Sequence, residues 1–344
     1  MHITEAIKKL VDNQSLCRDE AYMVCLEIME GNATPAQIGS LLTALRMKGE
    51  TTDEITGFAQ AMREKMVHLD CAVDHIVDTC GTGGDVVGTF NISTTSAFIA
   101  AGAGCCVAKH GNRSVSSLCG SADLIEALEI RTDLEPEFIR ICIENIGIGF
   151  LFAPLFHPAM KFAIGPRKEM GIRTIFNLVG PLCNPASVQR QVIGVCKKEF
   201  MDKIAGTLKN LGVHHCLVVH GADGMDEMTI TDKTYVYEIK DGVSTEYEIS
   251  PEEFGIDRCR IEELKVRTTE ESLNAIAQVL HGVPGPKTDV AVLNAAAVIY
   301  VSGKAKSIEN GIALARESVL TGSALKKLEG LKRYTNGFSK RNNQ

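Results

Sequence analysis

Three loops of small and polar residues lie within residues 78–123 and carry the groups that bind phosphate. They read Gly-Thr-Gly-Gly-Asp at 81–85, Lys-His-Gly-Asn-Arg-Ser-Val-Ser-Ser at 109–117 and Gly-Ser-Ala-Asp at 120–123. Glycine lets the backbone approach an anion closely, hydroxyls and amide N–H groups donate hydrogen bonds to it, and Lys109 and Arg113 supply positive charge. The combination indicates a site for a phosphorylated ligand.

The glycine loop alone is a weak signal, because a tight strand-to-helix turn explains it as well. No Gly-Lys-Ser/Thr follows, and the third glycine of a dinucleotide fingerprint would fall at Val86. The next segment favours a ligand, since Asn-Ile-Ser-Thr at 91–94 opens a helix with hydroxyls and unsatisfied N–H groups. Such a helix start suits a phosphate or diphosphate, and the Ser93 hydroxyl suits a hard cation.

The second loop, residues 109–117, places one lysine, one histidine and one arginine within five positions. A solvated charged turn is the simpler alternative, and His110 fits a packed or hydrogen-bonded residue better than a general base. Ser116 and Ser117 begin another helix and so offer a second anion-binding terminus. Two helix N-termini that face one cleft suit a ligand with phosphate groups at both ends.

Two adjacent carboxylates, Asp226 and Glu227, follow a predicted strand that ends at His220. Such a pair on a loop is often only solvated, but opposite a polyphosphate site it supplies good Mg²⁺ ligands, because this ion prefers one or two carboxylates together with phosphate oxygens and water. Asp85 and Asp223 are further candidates for the same ion shell.

Two arginines lie in a helical-looking segment, residues 157–174, that is bracketed by proline-containing stretches. Such an insertion is expected to rejoin the N-terminal helices across a hinge. A guanidinium at the cleft could then bind a carboxylate of a ligand in bidentate fashion. We assign Arg167 to the ligand and Arg173 to a structural ion pair.

Composition limits the function classes. Of the 344 residues, 45% are hydrophobic and 23% charged, as in a globular protein, and the net charge of −7 argues against non-specific binding of nucleic acid. No apolar run is long enough for a membrane span, and residues 1–5 do not begin a signal peptide. The 12 cysteines form no C-x-x-C motif, which favours buried reduced thiols and a cytoplasmic location.

The pattern of elements predicts an α/β protein in which a small N-terminal helical domain is hinged to a large α/β domain. Residues 1–70 show only helical periodicity and form the first domain, which the returning segment at about 165–185 is expected to join. Residues 71–344 form the second, where alternation of strands and helices predicts a mostly parallel central sheet flanked by helices. Polar and apolar alternation around Asp241-Gly242 predicts a hairpin at 234–249 that projects from the surface. The remaining predicted elements are strands at 75–79, 105–109, 191–196 and 216–220 and helices at 91–103, 116–128, 136–145, 198–211, 271–280, 288–301 and 307–320.

Taken together, these motifs resemble anthranilate phosphoribosyltransferase, a family of the nucleoside phosphorylase and phosphoribosyltransferase-like superfamily that acts in tryptophan biosynthesis. In addition to the three loops, the N-x-S-T segment and the acidic pair, R-x-x-x-G-x-R-T at 167–174 and G-P-L-x-N-P at 180–185 occur in the family's order. The helical N-terminus and Asn-Ala-Ala-Ala at 294–297 fit as well, so the resemblance covers nearly the whole chain.

The resemblance implies transfer of 5-phosphoribosyl from phosphoribosyl diphosphate to the amine of anthranilate, with release of diphosphate, by a homodimer joined through its helical domains. It implies Mg²⁺ as cofactor, two ions per monomer, held by Ser93, Asp226 and Glu227. It implies anthranilate contacts from Gly81, Asn112 and Arg167, with His110 and His157 along the approach. The residues that it implies for phosphoribosyl diphosphate are Gly81, Gly84, Asp85, Thr89, Asn91, Ile92, Ser93, Thr94, Lys109, His110, Gly111, Asn112, Arg113, Ser114, Val115, Ser116, Ser117 and Ser121.

Two departures from the family pattern are visible: Glu129 stands where glycine is usual, and Met170 stands where leucine often precedes Gly171. Both resemble packing variants outside the ligand shell. Three other interpretations remain. A pyrimidine nucleoside phosphorylase shares the architecture, but Asn112, Arg113 and Arg167 speak against it. A non-catalytic nucleic-acid-binding relative should be basic and lack the acidic pair, and a plain scaffold would not need so many anion-binding loops.

Overall fold

The structure, a computed structural model, describes residues 1–85, 87–113 and 120–338. Its N-terminal part is a small helical domain of α1 (Ile3–Val11), α2 (Arg18–Met29), α3 (Pro35–Lys48) and α4 (Thr52–Lys65). Helix α3 begins where the sequence predicts, because Thr34 accepts the Gln37 N–H as N-cap and Pro35 occupies the first helical position. Its apolar face, Ile38 to Leu45, is buried against the other helices.

A seven-stranded sheet forms the centre of the large domain, with the strand order β3-β2-β1-β4-β5-β6-β7. The first five strands in this order pair in parallel, and β6 and β7 add an antiparallel edge. The mostly parallel sheet predicted from the sequence is therefore confirmed. The strands are β1 (Val77–Gly81), β2 (Val107–Gly111), β3 (Ile148–Phe152), β4 (Arg190–Gly194), β5 (His215–Gly221), β6 (Thr234–Lys240) and β7 (Val243–Ile249).

Helices cover both faces of this sheet. The most deeply buried is α13, in which every residue from 290 to 299 is buried, so it runs through the core instead of over the surface. Its apolar character explains this position, because a helix without a polar face must be covered on all sides. The helices of this domain are α5 (Ile92–Gly102), α6 (Ser121–Ala127), α7 (Pro136–Ile146), α11 (Met201–Asn210), α12 (Thr269–Leu280), α13 (Pro286–Val301), α14 (Ile308–Leu320) and α15 (Ser323–Gly337).

Between β3 and β4 the chain returns to the helical domain through α8 (Ala153–Phe156), α9 (Lys161–Met170) and α10 (Ile175–Val179). Helix α9 packs against α2 and α3, and α10 packs against α3 and α4. One hydrophobic cluster runs from the helical domain through α10 to β4, β5 and α11. The return segment therefore lies between the two domains and contacts both.

Several elements differ from the prediction. The hairpin is not a surface excursion: β6 pairs with β5 along its whole length and buries Val236 and Ile239, so it completes the sheet. Strand β3 was not predicted: the single residue Gly147, in the left-handed conformation, ends α7, and the strand follows at once without an intervening loop. Helix α15 extends beyond the predicted helices. Among the described residues, no helix has the length and apolarity needed to cross a membrane.

Candidate active site

The predicted site residues that the structure describes lie along one edge of the sheet, where β1, β2, β4 and β5 all end. The glycine loop follows β1, the Lys-His-Gly segment ends β2, and the loop after β5 carries the acidic pair. Because the carboxyl ends of parallel strands share one edge, loops distant in sequence converge there, as ligand sites of open α/β sheets do.

The side chain of Asp226 sits directly on the glycine loop. Its Oδ2 accepts a hydrogen bond from the Gly83 N–H at 2.8 Å. A Cβ at Gly81 would lie 2.2 Å from the same oxygen, and one at Gly194 would lie 1.5 Å from the Asp226 carbonyl oxygen. Glycine is thus required at both positions because the acidic loop packs against bare backbone.

Three carboxylates, Asp85, Asp226 and Glu227, lie within electrostatic range of one another, and the cations Lys109 and Arg173 are also in range. Burial raises the pKa of each. Neighbouring carboxylates add to the rise for Asp85 and Glu227, so that the pKa of Asp85 reaches about 7 and that of Glu227 lies well above its usual range. The Lys109 ammonium and the Ser93 N–H work in the opposite direction on the pKa of Glu227. Such a cluster is stabilised by a cation.

The donor set fits Mg²⁺. Asp226 and Glu227 offer hard oxygen ligands, and the Ser93 N–H contacts Glu227, which places the start of α5 next to the acidic pair. Within the described ranges, no three His, Cys, Asp or Glu side chains converge on one point. The protein therefore supplies only part of a coordination shell, as expected for an ion completed by phosphate oxygens and water.

Asp223, a further candidate for the ion shell, is occupied otherwise. Its carboxylate accepts hydrogen bonds from the hydroxyls of Thr229 (2.6 Å) and Thr231 and from the Met225 N–H (3.1 Å). These bonds tie the two ends of the loop that carries the acidic pair. Asp223 therefore braces this loop instead of facing the ion.

The start of α5 has the predicted form of an anion site. Asn91 caps the helix, its Oδ1 accepting the Thr94 N–H at 3.3 Å, and the buried Thr94 hydroxyl oxygen has no hydrogen-bond partner among the described residues. Ile92 differs from the prediction: its side chain lies in the core and its N–H donates to the Phe90 carbonyl at 2.7 Å, which leaves it no free donor. Thr89 lies just before, in an isolated bridge to Lys265.

A buried network that the sequence did not reveal supports the second loop. The Asp78 carboxylate accepts the N–H of His110 (3.2 Å) and the side-chain amide of Asn184 (2.8 Å). Lys109 donates to the Thr79 carbonyl at 2.7 Å. Burial raises the pKa of Asp78, and the nearby Lys109 ammonium opposes this rise. Lys109 is thus held under the loop, between Asp78 and the acidic pair. The only sequence signal for Asp78 is a carboxylate inside an apolar strand.

His110 and His157 form a neutral imidazole pair. Their ring centroids are 5.2 Å apart, and each Nε2 is buried without a hydrogen-bond partner in the described part of the chain. Burial lowers the pKa of His157 to about 4 and that of His110 well below its usual range, the second also because His157 and Lys109 are near. Both rings therefore offer unprotonated nitrogens at neutral pH.

Arg167 is positioned as a free cation. Its guanidinium lies 5.3 Å from the centre of the Phe176 ring, and the described residues give it no carboxylate partner. Burial lowers its pKa. A desolvated guanidinium without an anion is the arrangement that a carboxylate ligand would complete.

Arg173 has a structural role, although the described residues do not form the expected ion pair with it. It donates to the Thr82 carbonyl at 3.0 Å, and its guanidinium fills the space where a Cβ of Gly84 would stand, 1.9 Å from Nη1. Arg173 thereby fixes the far side of the glycine loop and lies near enough to Asp85 to oppose the rise in its pKa.

The remaining predicted residues lie at the end of β2. Arg113 forms ion pairs with Asp123 (3.0 Å) and Glu126 (2.6 Å), and the Ser121 hydroxyl donates to the Asn112 carbonyl at 3.3 Å. A Cβ at Gly111 would lie 2.2 Å from the Ser121 Oγ, which explains the glycine. The predicted phosphate ligands Ser114, Val115, Ser116 and Ser117 lie outside the described residues.

Comparison with known proteins defines the class. Residues 4–66 match the helical bundle domain, and residues 73–325 the a/b domain, of the Glycosyl transferase family. An anthranilate phosphoribosyltransferase of Acetivibrio thermocellus is 50% identical over 336 residues, which cover 98% of this chain and 97% of that protein.

Comparison with solved structures leads to the same class of protein. The anthranilate phosphoribosyltransferase of Thermus thermophilus is 41% identical with a TM-score of 0.90, over 96% of this chain and 99% of that one. The Saccharomyces cerevisiae enzyme in complex with PRPP and Mg is 27% identical with a TM-score of 0.90, over 97% and 98%. The same enzyme in complex with 4-fluoroanthranilate gives a TM-score of 0.88 at 26% identity, over the same shares. The chain therefore belongs to the anthranilate phosphoribosyltransferase family.

Proposed function

We propose that this chain transfers 5-phosphoribosyl from phosphoribosyl diphosphate to the amine of anthranilate, giving N-(5-phosphoribosyl)anthranilate and diphosphate in tryptophan biosynthesis. The observation that carries the proposal is the position of the acidic pair: Asp226 accepts the Gly83 N–H of the glycine loop, and Glu227 lies near enough to the start of α5 for the Ser93 N–H to lower its pKa. It brings together the two groups that a metal-bound diphosphate requires, a helix N-terminus and paired carboxylates.

The chemistry is a displacement at the anomeric carbon of the ribose. As the bond to diphosphate breaks, positive charge develops on the ring and negative charge on the leaving group. The positive end of the α5 dipole and the Thr94 hydroxyl, which has no partner among the described residues, would stabilise the leaving group, an electrostatic contribution that needs no rearrangement during the reaction. Mg²⁺ bound by Ser93, Asp226 and Glu227 would add positive charge at the same place. We propose two ions per monomer, because the acidic pair and the diphosphate together carry more negative charge than one divalent ion balances.

The acceptor would bind on the side of Arg167 and the two histidines. Arg167 has no carboxylate of its own among the described residues and would bind that of anthranilate. The aryl amine is neutral at pH 7 and can attack without prior loss of a proton. Neutral His110 and His157 can accept its N–H and hold the amine in line with the anomeric carbon, so that catalysis rests on placement. Gly81 and Asn112 complete the proposed anthranilate contacts.

We propose a homodimer joined through the helical domains. Helices α1, α2 and α3 of this domain expose Val11 (71%), Met23 (48%) and Met47 (83%), whose contact with a second copy would remove them from water. Light scattering should give the mass of two chains, and Met47→Lys should lower the dimer fraction if the contact includes α3. We also propose a cytoplasmic location, which the free thiols of the described cysteines favour.

Product analysis tests the reaction. The protein is incubated with phosphoribosyl diphosphate, Mg²⁺ and anthranilate, and in parallel with a pyrimidine nucleoside and inorganic phosphate. Mass spectrometry should find N-(5-phosphoribosyl)anthranilate in the first mixture and no free pyrimidine in the second. Phosphorolysis without ribosylated anthranilate would favour the nucleoside phosphorylase alternative.

A further inference from the structure

Asn294 is a polar residue inside an otherwise apolar helix. All residues of α13 from 290 to 299 are buried, and Asn294 is the single member of this stretch with a polar side chain. A buried amide is costly unless its hydrogen-bonding groups are satisfied, so its presence here requires an explanation.

The side-chain amide of Asn294 forms hydrogen bonds with both backbone groups of Met228, the N–H and the carbonyl. Its Oδ1 accepts the Met228 N–H at 3.0 Å, and its Nδ2 donates to the Met228 carbonyl at 2.8 Å, with a further bond to the Val290 carbonyl at 2.9 Å. Met228 directly follows Glu227 in the sequence. The amide therefore fixes the backbone at the residue next to the acidic pair.

Helix α13 also forms a hydrogen bond with α5, the helix that carries the other proposed metal ligand, Ser93. The Ser96 hydroxyl donates to the Ala291 carbonyl at 3.0 Å, and Ser96 lies one helical turn after Ser93 on α5. Helix α13 thus binds α5, which carries Ser93, through Ala291, and binds the acidic loop through Asn294 three residues further on. The bonds of α13 to Ser96 and to Met228 therefore set the distance between Ser93 and the acidic pair.

We propose that Asn294 is a positioning residue for the metal site: by clamping Met228 to α13, it holds Asp226 and Glu227 at the distance from Ser93 that a divalent cation and a diphosphate require. The inference rests on the proposed function. An apolar residue here would fill the space but leave the Met228 N–H and carbonyl unpaired, so the acidic loop would lose its fixed position.

The test is a Mn²⁺ titration in saturating phosphoribosyl diphosphate without anthranilate, followed by water proton relaxation, which reports protein-bound ion in the absence of turnover. The variants are Asn294→Ala and, as matched control, Ser302→Ala. Ser302 is also buried and lies at the C-terminal end of the same helix, but it bonds to Ile299 and Cys105 and not to the acidic loop. Thermal unfolding of both variants shows how far each loosens α13.

Asn294→Ala should raise the half-saturating Mn²⁺ concentration about tenfold or more, whereas Ser302→Ala should stay within about twofold of the wild type. Wild-type affinity in Asn294→Ala, or an equal loss in Ser302→Ala, would overturn the positioning role while leaving the proposed function intact. Absence of Mn²⁺ binding by the wild type would instead overturn the metal site and the positioning role with it. If Asn294→Ala does not fold, the Mn²⁺ titration is repeated with Asn294→Ser, which keeps one hydrogen-bonding group. The same change in half-saturating concentration is then expected.

Discussion

The carboxylate of Asp226 accepts the backbone N–H of Gly83 at 2.8 Å, across 143 residues of sequence. This bond makes the glycine loop and the acidic loop one unit, so that a change in either moves the other. The glycines of the first loop accordingly have a role besides the proposed binding of an anion: two of them, Gly81 and Gly83, contact the carboxylate of Asp226, which we propose as a metal ligand.

Gly81→Ala should therefore disable the site without unfolding the protein. The new Cβ would lie 2.2 Å from the Asp226 Oδ2 and would push the carboxylate away. Because displacements of about 1 Å in an active site reduce rates about a hundredfold, we expect kcat/KM to fall by about that factor at saturating Mg²⁺. Gly165→Ala is the control, since a Cβ there meets nothing within 4 Å. Normal activity in Gly81→Ala would show that the packing is not required.

Arg167→Ala should affect one substrate far more than the other. Loss of a charge-assisted contact with a carboxylate should raise the apparent KM for anthranilate about tenfold to a hundredfold, while that for phosphoribosyl diphosphate stays within about twofold. Steady-state kinetics with each substrate varied in turn measures both. Lys168→Ala, which removes an exposed cation one residue along, should change neither value. Equal effects of Arg167→Ala on both substrates would remove Arg167 from the anthranilate site.

Stability of the ligand-free protein should depend on the ionisation of Asp85. Its pKa is about 7 in the folded state against a usual 3.8, so the folded state binds this proton more tightly than the unfolded state. The carboxyl therefore costs little stability below about pH 4, and its cost grows as the pH rises to about 7. Asp85→Asn removes the ionisation, and its gain in Tm over the wild type should be larger at pH 8 than at pH 5 in EDTA. Equal gains at both pH values would contradict the raised pKa.

Glu129 adopts a backbone conformation that suits glycine, with φ of 62°. Its side chain pairs with Lys332 on the surface, so two variants are needed to separate the backbone from the ion pair. Glu129→Ala and Glu129→Gly lose the pair equally, but only glycine relieves the left-handed strain. Glu129→Gly should melt about 2 °C above Glu129→Ala by differential scanning fluorimetry. Identical melting temperatures would show that this turn carries no strain.

The sequence predicted the elements whose ends carry strong local signals. Thr34-Pro35 marks the start of α3, and Asn91 marks the start of α5. The mostly parallel sheet followed from the alternation of strands and helices. Strand β3 was not predicted because Gly147 alone separates it from α7. The hairpin was wrongly predicted to project from the surface, because alternation along β6 does not tell which strand it will pair with.

The site was predictable only where the chain concentrates unusual residue types. The glycine loop and the acidic pair stand out by composition, but that they touch depends on strand order, which no local pattern contains. Asp78, Asn184 and Asn294 act through buried hydrogen bonds to backbone groups distant in sequence. Asp78 and Asn294 are conspicuous as polar residues in apolar segments, but their neighbours in the sequence do not tell which backbone groups they bind, so these roles had to come from the three-dimensional arrangement.

The most direct test of the central claim is the fluorescence of anthranilate during the reaction. With the protein, phosphoribosyl diphosphate and Mg²⁺ present together, the fluorescence should fall in step with the release of diphosphate, and EDTA or omission of either substrate should stop both. A folded protein that leaves the fluorescence unchanged under these conditions would contradict the proposed transfer.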